Sequence, residues 1–107
     1  MKHMMFFVFV VLFGSLQMAQ GASKTINSTT DKNGNQHPGT TAVKGPATIT
    51  CLTANPPQNP PATCYVEGPG VAKQVRVGAN VGTSGAGTVT LTCNGTAPLN
   101  CSARVVD

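Results

Sequence analysis

From Pro46 to Asp107 apolar residues recur at alternate positions, the period of a strand with one buried face. Thr48-Ile49-Thr50-Cys51-Leu52 places Ile49 and Cys51 on one side and Thr48 and Thr50 on the other. Cys64 and Val66 share a face opposite Thr63, Tyr65 and Glu67, and Val71, Val75 and Val77 share another that Lys73 interrupts. Thr88-Val89-Thr90-Leu91-Thr92-Cys93 is the most regular alternation, with Val89, Leu91 and Cys93 inward; Cys101, Ala103 and Val105 repeat it. Turn residues divide these runs. They are Gly68-Pro69-Gly70, the glycines at 78, 82, 85 and 87 around a short strand at Val81, and the segment 94–100. No segment has a helical period, and Thr and Val suit a pleated, half-buried surface. The expected fold is all-β: a small antiparallel β-sandwich over 46–107, immunoglobulin-like or similar, with five or six short strands.

The pattern fades upstream. Residues 22–45 contain Ile26 and Val43 as their only large aliphatics among Ser, Thr, Asn, Gly and Lys. Such a stretch buries too little apolar surface to offset its ordering entropy, so it reads as a flexible polar arm, with a short edge strand near Ile26 or Val43 as the alternative. Residues 1–21 read as a secretory signal peptide: Lys2 and His3, ten apolar residues from Met4 to Phe13, then Ala19-Gln20-Gly21 as a cleavage region. The apolar run is shorter than the roughly 20 residues of a spanning helix, so no membrane anchor is expected after cleavage.

Cleavage changes the composition. All four Phe and all four Met lie within 1–21, leaving Tyr65 as the one aromatic residue and no Trp. The remaining charges are Lys24, Lys32, Lys44, Lys73, Arg76 and Arg104 against Asp31, Glu67 and Asp107. These scattered charges lack the clustered cations and stacking aromatics of a nucleic-acid footprint.

Four cysteines behind a leader imply two disulfides in an oxidising compartment. Strand parity favours Cys51–Cys64 and Cys93–Cys101. If each pair faces across a hairpin, Ile49 meets Val66, Leu91 meets Ala103 and Val89 meets Val105, all inward. The rival is a long inter-sheet link such as Cys51–Cys93, as in immunoglobulin domains, although the Trp that packs on that bridge is absent. The spacings, with 12, 28 and 7 residues between successive cysteines, lack the paired knuckles of zinc sites. No metal or cofactor is expected.

Catalytic groups are sparse. His37 and Asp31 lie in the arm, Glu67 beside a turn, and no nucleophile motif surrounds a serine. A non-enzymatic protein is expected. Three glycosylation sequons, at Asn27, Asn94 and Asn100, arise readily in a chain this rich in Asn, Ser and Thr.

The candidate site is the loop between Cys51 and Cys64, which repeats Asn-Pro-Pro. Its candidate residues are Thr53, Ala54, Asn55, Pro56, Pro57, Gln58, Asn59, Pro60 and Pro61. Proline removes conformations before binding, so a disulfide-closed proline loop is a preorganised contact edge. The stretch Cys51-Leu52-Thr53-Ala54-Asn55-Pro56-Pro57-Gln58 resembles the inhibitory loop of Bowman–Birk serine protease inhibitors, Cys-Thr-x-Ser-x-Pro-Pro-x-Cys. Leu52 and Ala54 stand where that family has Thr and Ser, and Asn59 where it has the closing Cys. The resemblance covers about nine residues and implies a scissile bond between Thr53 and Ala54 and an elastase-like target. Three functions follow as expectations. The first is an exported binding module for a protein or cell-surface ligand, acting through loop 52–63 or through Thr88, Thr90 and Thr92. The second is a protease inhibitor, and the third a structural subunit joining neighbours through strand edges.

Overall fold

The computed structural model describes residues 22–107, which form nine strands and no helix. The strands are β1 Ser23–Thr30, β2 Gln36–His37, β3 Gly39–Val43, β4 Thr48–Asn55, β5 Thr63–Gly68, β6 Val71–Val75, β7 Asn80–Gly82, β8 Gly87–Asn94 and β9 Leu99–Val106. One sheet has the order β2-β1-β9-β4-β7 and the other β3-β8-β5-β6, with every pairing antiparallel. The expected signal peptide, 1–21, lies outside the described residues.

The register has a simple rule. Ile26 pairs with Ala103, Thr41 with Val89, Ile49 with Val81 and Cys64 with Val75. Residues 23–68 are thus laid antiparallel along 71–106, as one long hairpin closing at Pro69-Gly70, and that ribbon is rolled into two sheets. Such rolling gives the jelly-roll order, not the immunoglobulin order in which one sheet carries strands three, six and seven. The expected sandwich is present with a different winding.

Residues 22–45 correct the sequence reading. Rather than a flexible arm, they supply β1, β2 and β3, and β1 pairs with β9 along its whole length, from Ser23↔Val106 to Thr30↔Leu99. The reason lies on the inner face of β1, where Ile26, Ser28 and Thr30 are all buried. Two of those three side chains are hydroxyls, so an apolar pattern does not reveal the alternation. Ser28 satisfies its hydroxyl by donating to the His37 carbonyl oxygen at 3.0 Å. At the same corner the chain entering β3 crosses β1 so closely that a Cβ on Gly39 would fall on the Asn27 carbonyl oxygen.

The core lies between the sheets. Ile49, Val66, Val89, Leu91 and Ala103 are fully buried, as their alternation requires. Val75 is buried too, but Val71 is half-buried and Val77 exposed, because β6 ends at Val75 and the chain then leaves its sheet for β7.

Both favoured disulfides form, Cys51–Cys64 and Cys93–Cys101, but neither spans a hairpin. Cys51 and Cys101 belong to the first sheet, and Cys64 and Cys93 to the second, so both bonds cross the core. Val89 and Leu91 accordingly face Thr41 and Val66 in their own sheet rather than residues of β9. Local spacing and an inter-sheet link coexist because each short connection, 56–62 and 95–98, carries the chain from one sheet to the other. Cys64 and Cys93 are also direct cross-strand neighbours, which sets the two bonds side by side. Their Cα–Cα distances of 5.8 and 5.7 Å are well under the roughly 10 Å between facing sheets, so the sheets converge at this end.

Candidate binding site

The converging end gathers the loops 31–35, 56–62 and 95–98, which carry five of the eight prolines. The proline loop is shorter than expected, because β4 runs on to Asn55. Leu52 is the extra residue of a bulge, after which Thr53 pairs with Ser102, Ala54 with Cys101 and Asn55 with Asn100. Thr53 further shares a 2.7 Å hydrogen bond between its hydroxyl and that of Ser102. Thr53 and Ala54, which flank the bond marked by the inhibitor resemblance, therefore lie within a sheet. That bond would have to be drawn out of the sheet to enter a protease.

The loop proper is clamped. Gln58 Nε2 donates to the Thr96 carbonyl oxygen at 2.6 Å, and Thr96 N–H donates back to Gln58 Oε1 at 2.9 Å. Gly95 permits this approach, since a Cβ there would lie 2.7 Å from Gln58 Oε1 and 2.9 Å from Ala62 Cβ. Pro56, Pro57, Asn59, Pro60 and Pro61 stay exposed around the half-buried Gln58. The loop is a ridge fixed by two disulfides and one reciprocal amide pair.

A hollow lies on each flank of the ridge. Asn55 and Pro56 line one of about 610 Å³ together with Thr30, Asp31, His37, Pro98 and Asn100. Pro60 and Pro61 line the other, about 530 Å³, with Thr63, Gln74 and Arg76. In the first, the backbone N–H groups of Asn35 and Asn33 donate to Asp31 Oδ1 at 3.0 and 2.9 Å. These bonds, led by the one from Asn35, hold the Asp31 carboxyl below its ordinary value. His37 Nε2 stands 3.6 Å from Asp31 Oδ2. The sequence did not suggest that these two residues meet, because both fell in the presumed arm. They form no hydrolytic triad with Ser28, whose buried hydroxyl is committed to the His37 carbonyl.

A third hollow, about 390 Å³, opens on the outer face of β8 and β5 between Gln36, Tyr65, Glu67, Thr92 and Asn94. Tyr65 is half-buried between Thr92 on β8 and Gln74 on β6. Gln74 Nε2 donates to Thr63 Oγ1 at 2.8 Å. Thr88 on this face is exposed and Thr90 and Thr92 are half-buried. The pattern alone gave Tyr65 no role, although its being the lone aromatic beyond residue 21 was a usable signal. Among the described residues no group of three His, Cys, Asp or Glu is placed to hold a metal ion. The sequon residues Asn27, Asn94 and Asn100 are all exposed.

No family model matches the chain, and neither a curated protein nor a solved structure matches it.

Proposed function

We propose that the chain is an exported, non-enzymatic binding module that meets a protein or cell-surface ligand through its proline-rich end. One observation carries the reading: a covalently fixed ridge, 56–62, stands between two hollows that its own prolines line. A surface already held in shape loses little conformational freedom on contact, so more of its interaction energy appears as affinity. Hollows of this size fall in the range of ligand sites. Two disulfides suit an oxidising compartment, and the leader-like residues 1–21 support export by the secretory route.

Two experiments test it. Mass spectrometry of the protein released by its producing cells should find a chain beginning at Ala22; a retained leader would contradict export by cleavage. A photo-crosslinking residue placed at Asn59 should trap a partner, whereas one placed at Ala86, at the far end, should not. Equal trapping at both positions, or none at Asn59, would overturn the proposed contact end.

A further inference from the structure

The hollow beside Pro60 and Pro61 and the hollow beside Glu67 lie on the two sides of strand β5, on one outer sheet face, and Tyr65 and Thr63 stand between them. The backbone groups of β5 are engaged in ladders on both sides, and the unpaired ones of β8 and of the edge strand β6 lie in the plane of the sheet, so recognition on this face must come from side chains. Those side chains share one chemistry. Glu67, Gln74, Arg76 and Asn94 are planar groups with two adjacent polar atoms, and they surround a single aromatic ring. A carboxylate, carboxamide or guanidinium can bind two neighbouring hydroxyls at once. An aromatic ring offers an apolar plate with a polar tip, which suits the C–H face of a sugar ring. The carboxylate of Glu67 and the guanidinium of Arg76 balance each other, so the face favours an uncharged ligand.

We infer that this face binds a neutral oligosaccharide, laid across the strands with one sugar ring against Tyr65. The inference rests on the proposed binding role and names its ligand class. From β8 to β6 the face spans about 10 Å at ordinary strand spacing, room for about two sugar rings, so an oligosaccharide binds more tightly than a single sugar.

The lone tyrosine makes the test direct, because without tryptophan the emission of the exported, disulfide-bonded protein reports Tyr65 itself. Glucose, mannose, xylose and N-acetylglucosamine, each as the single sugar and as its neutral oligosaccharide, would be titrated while following that emission. At least one series should give a saturable change, tighter for the oligosaccharide than for the single sugar. By calorimetry, Tyr65→Ala and Glu67→Ala should each weaken binding by about tenfold or more, as loss of a stacking plate or a charged hydrogen bond does. Glu67 is exposed, so its variant tests the site even if Tyr65→Ala unfolds. Thr25→Ala, on the other sheet, should leave affinity unchanged. No response to any of these sugars, or binding that survives both variants, would overturn the inference. So would a response confined to acidic sugars. If sugars fail while Asn59 still traps a partner, the ligand class falls and the contact end stands.

Discussion

The two ends of the sandwich solve one problem by different means. At each end a pair of loops must be held together where the chain passes between sheets. At the proline-rich end the clamp is Gln58 with Thr96, exposed to water and backed by two disulfides. At the other end Thr83 N–H donates to the Ala47 carbonyl oxygen at 2.8 Å, and Ala47 N–H donates to Thr83 Oγ1 at 2.9 Å. Both residues of that second clamp are buried, and no covalent bond supports it. There the turns use glycine, with Gly70 at φ 73° after Pro69, and Ser84 N–H donates to the Pro69 carbonyl oxygen at 2.9 Å. A surface that must keep its shape while facing solvent gains more from covalent bonds, whereas a buried hydrogen bond suffices where water is excluded.

The contrast can be broken most forcefully at the disulfides. Each should contribute roughly 2–4 kcal/mol by restricting the unfolded chain. Cys51→Ala with Cys64→Ala should lower the denaturant midpoint accordingly, and full reduction should unfold or loosen the domain; an unchanged β circular dichroism melt in excess reductant would contradict this. Next comes Thr83→Val, which keeps the shape but leaves the buried Ala47 N–H without its acceptor. It should cost about 1–3 kcal/mol, measured by urea unfolding.

Gln58→Ala, the matching change at the proline-rich end, should cost less, about 0.5–1 kcal/mol, because water replaces its partners and the disulfides hold the loops. If Gln58→Ala proves the costlier of the two, the covalent bonds are not what fixes that end. The smallest effect is acidic. The Asp31 carboxyl, held by Asn35 N–H, and that of Asp107, held at 2.9 Å by Lys44 N–H, both sit below the ordinary 3.8. Their contribution is present above that unfolded value and is lost as pH falls through the lower folded one. Amide exchange at Asn35 and Lys44 should therefore rise only in that acid window, one residue at each end.

Much of the fold was legible in the sequence where inward positions are apolar. Val89, Leu91, Cys93, Cys101, Ala103 and Val105 alternate and are all buried. Strand β1 was not legible, because Ser28 and Thr30 take inward positions that only tertiary packing makes tolerable. The disulfide pairs came out as expected but not through the cross-hairpin facing that suggested them, because parity shows only that all four cysteines point inward. The winding was not: parity says which way Cys93 points but not whether β9 lies beside it or across the core. The candidate loop was legible as a proline-rich connection between two strands, but its start was not, because nothing local marks the bulge at Leu52 that carries β4 to Asn55. The pairing of Gln58 with Thr96 was equally hidden, since it spans 38 residues between loops without periodicity.

Amide hydrogen exchange of the oxidised protein under native conditions tests the contrast most directly. The reporters are single bonds at the two ends: Cys51 N–H to the Ala79 carbonyl oxygen and Thr96 N–H to Gln58, against Thr83 N–H and Ser84 N–H. We expect Cys51 and Thr96 to exchange more slowly than Thr83 and Ser84, with loops 56–62 and 95–98 opening only together with the core. Faster exchange at Cys51 and Thr96 than at Thr83 and Ser84 would show a mobile proline-rich end, and the preorganised contact surface would have to be abandoned.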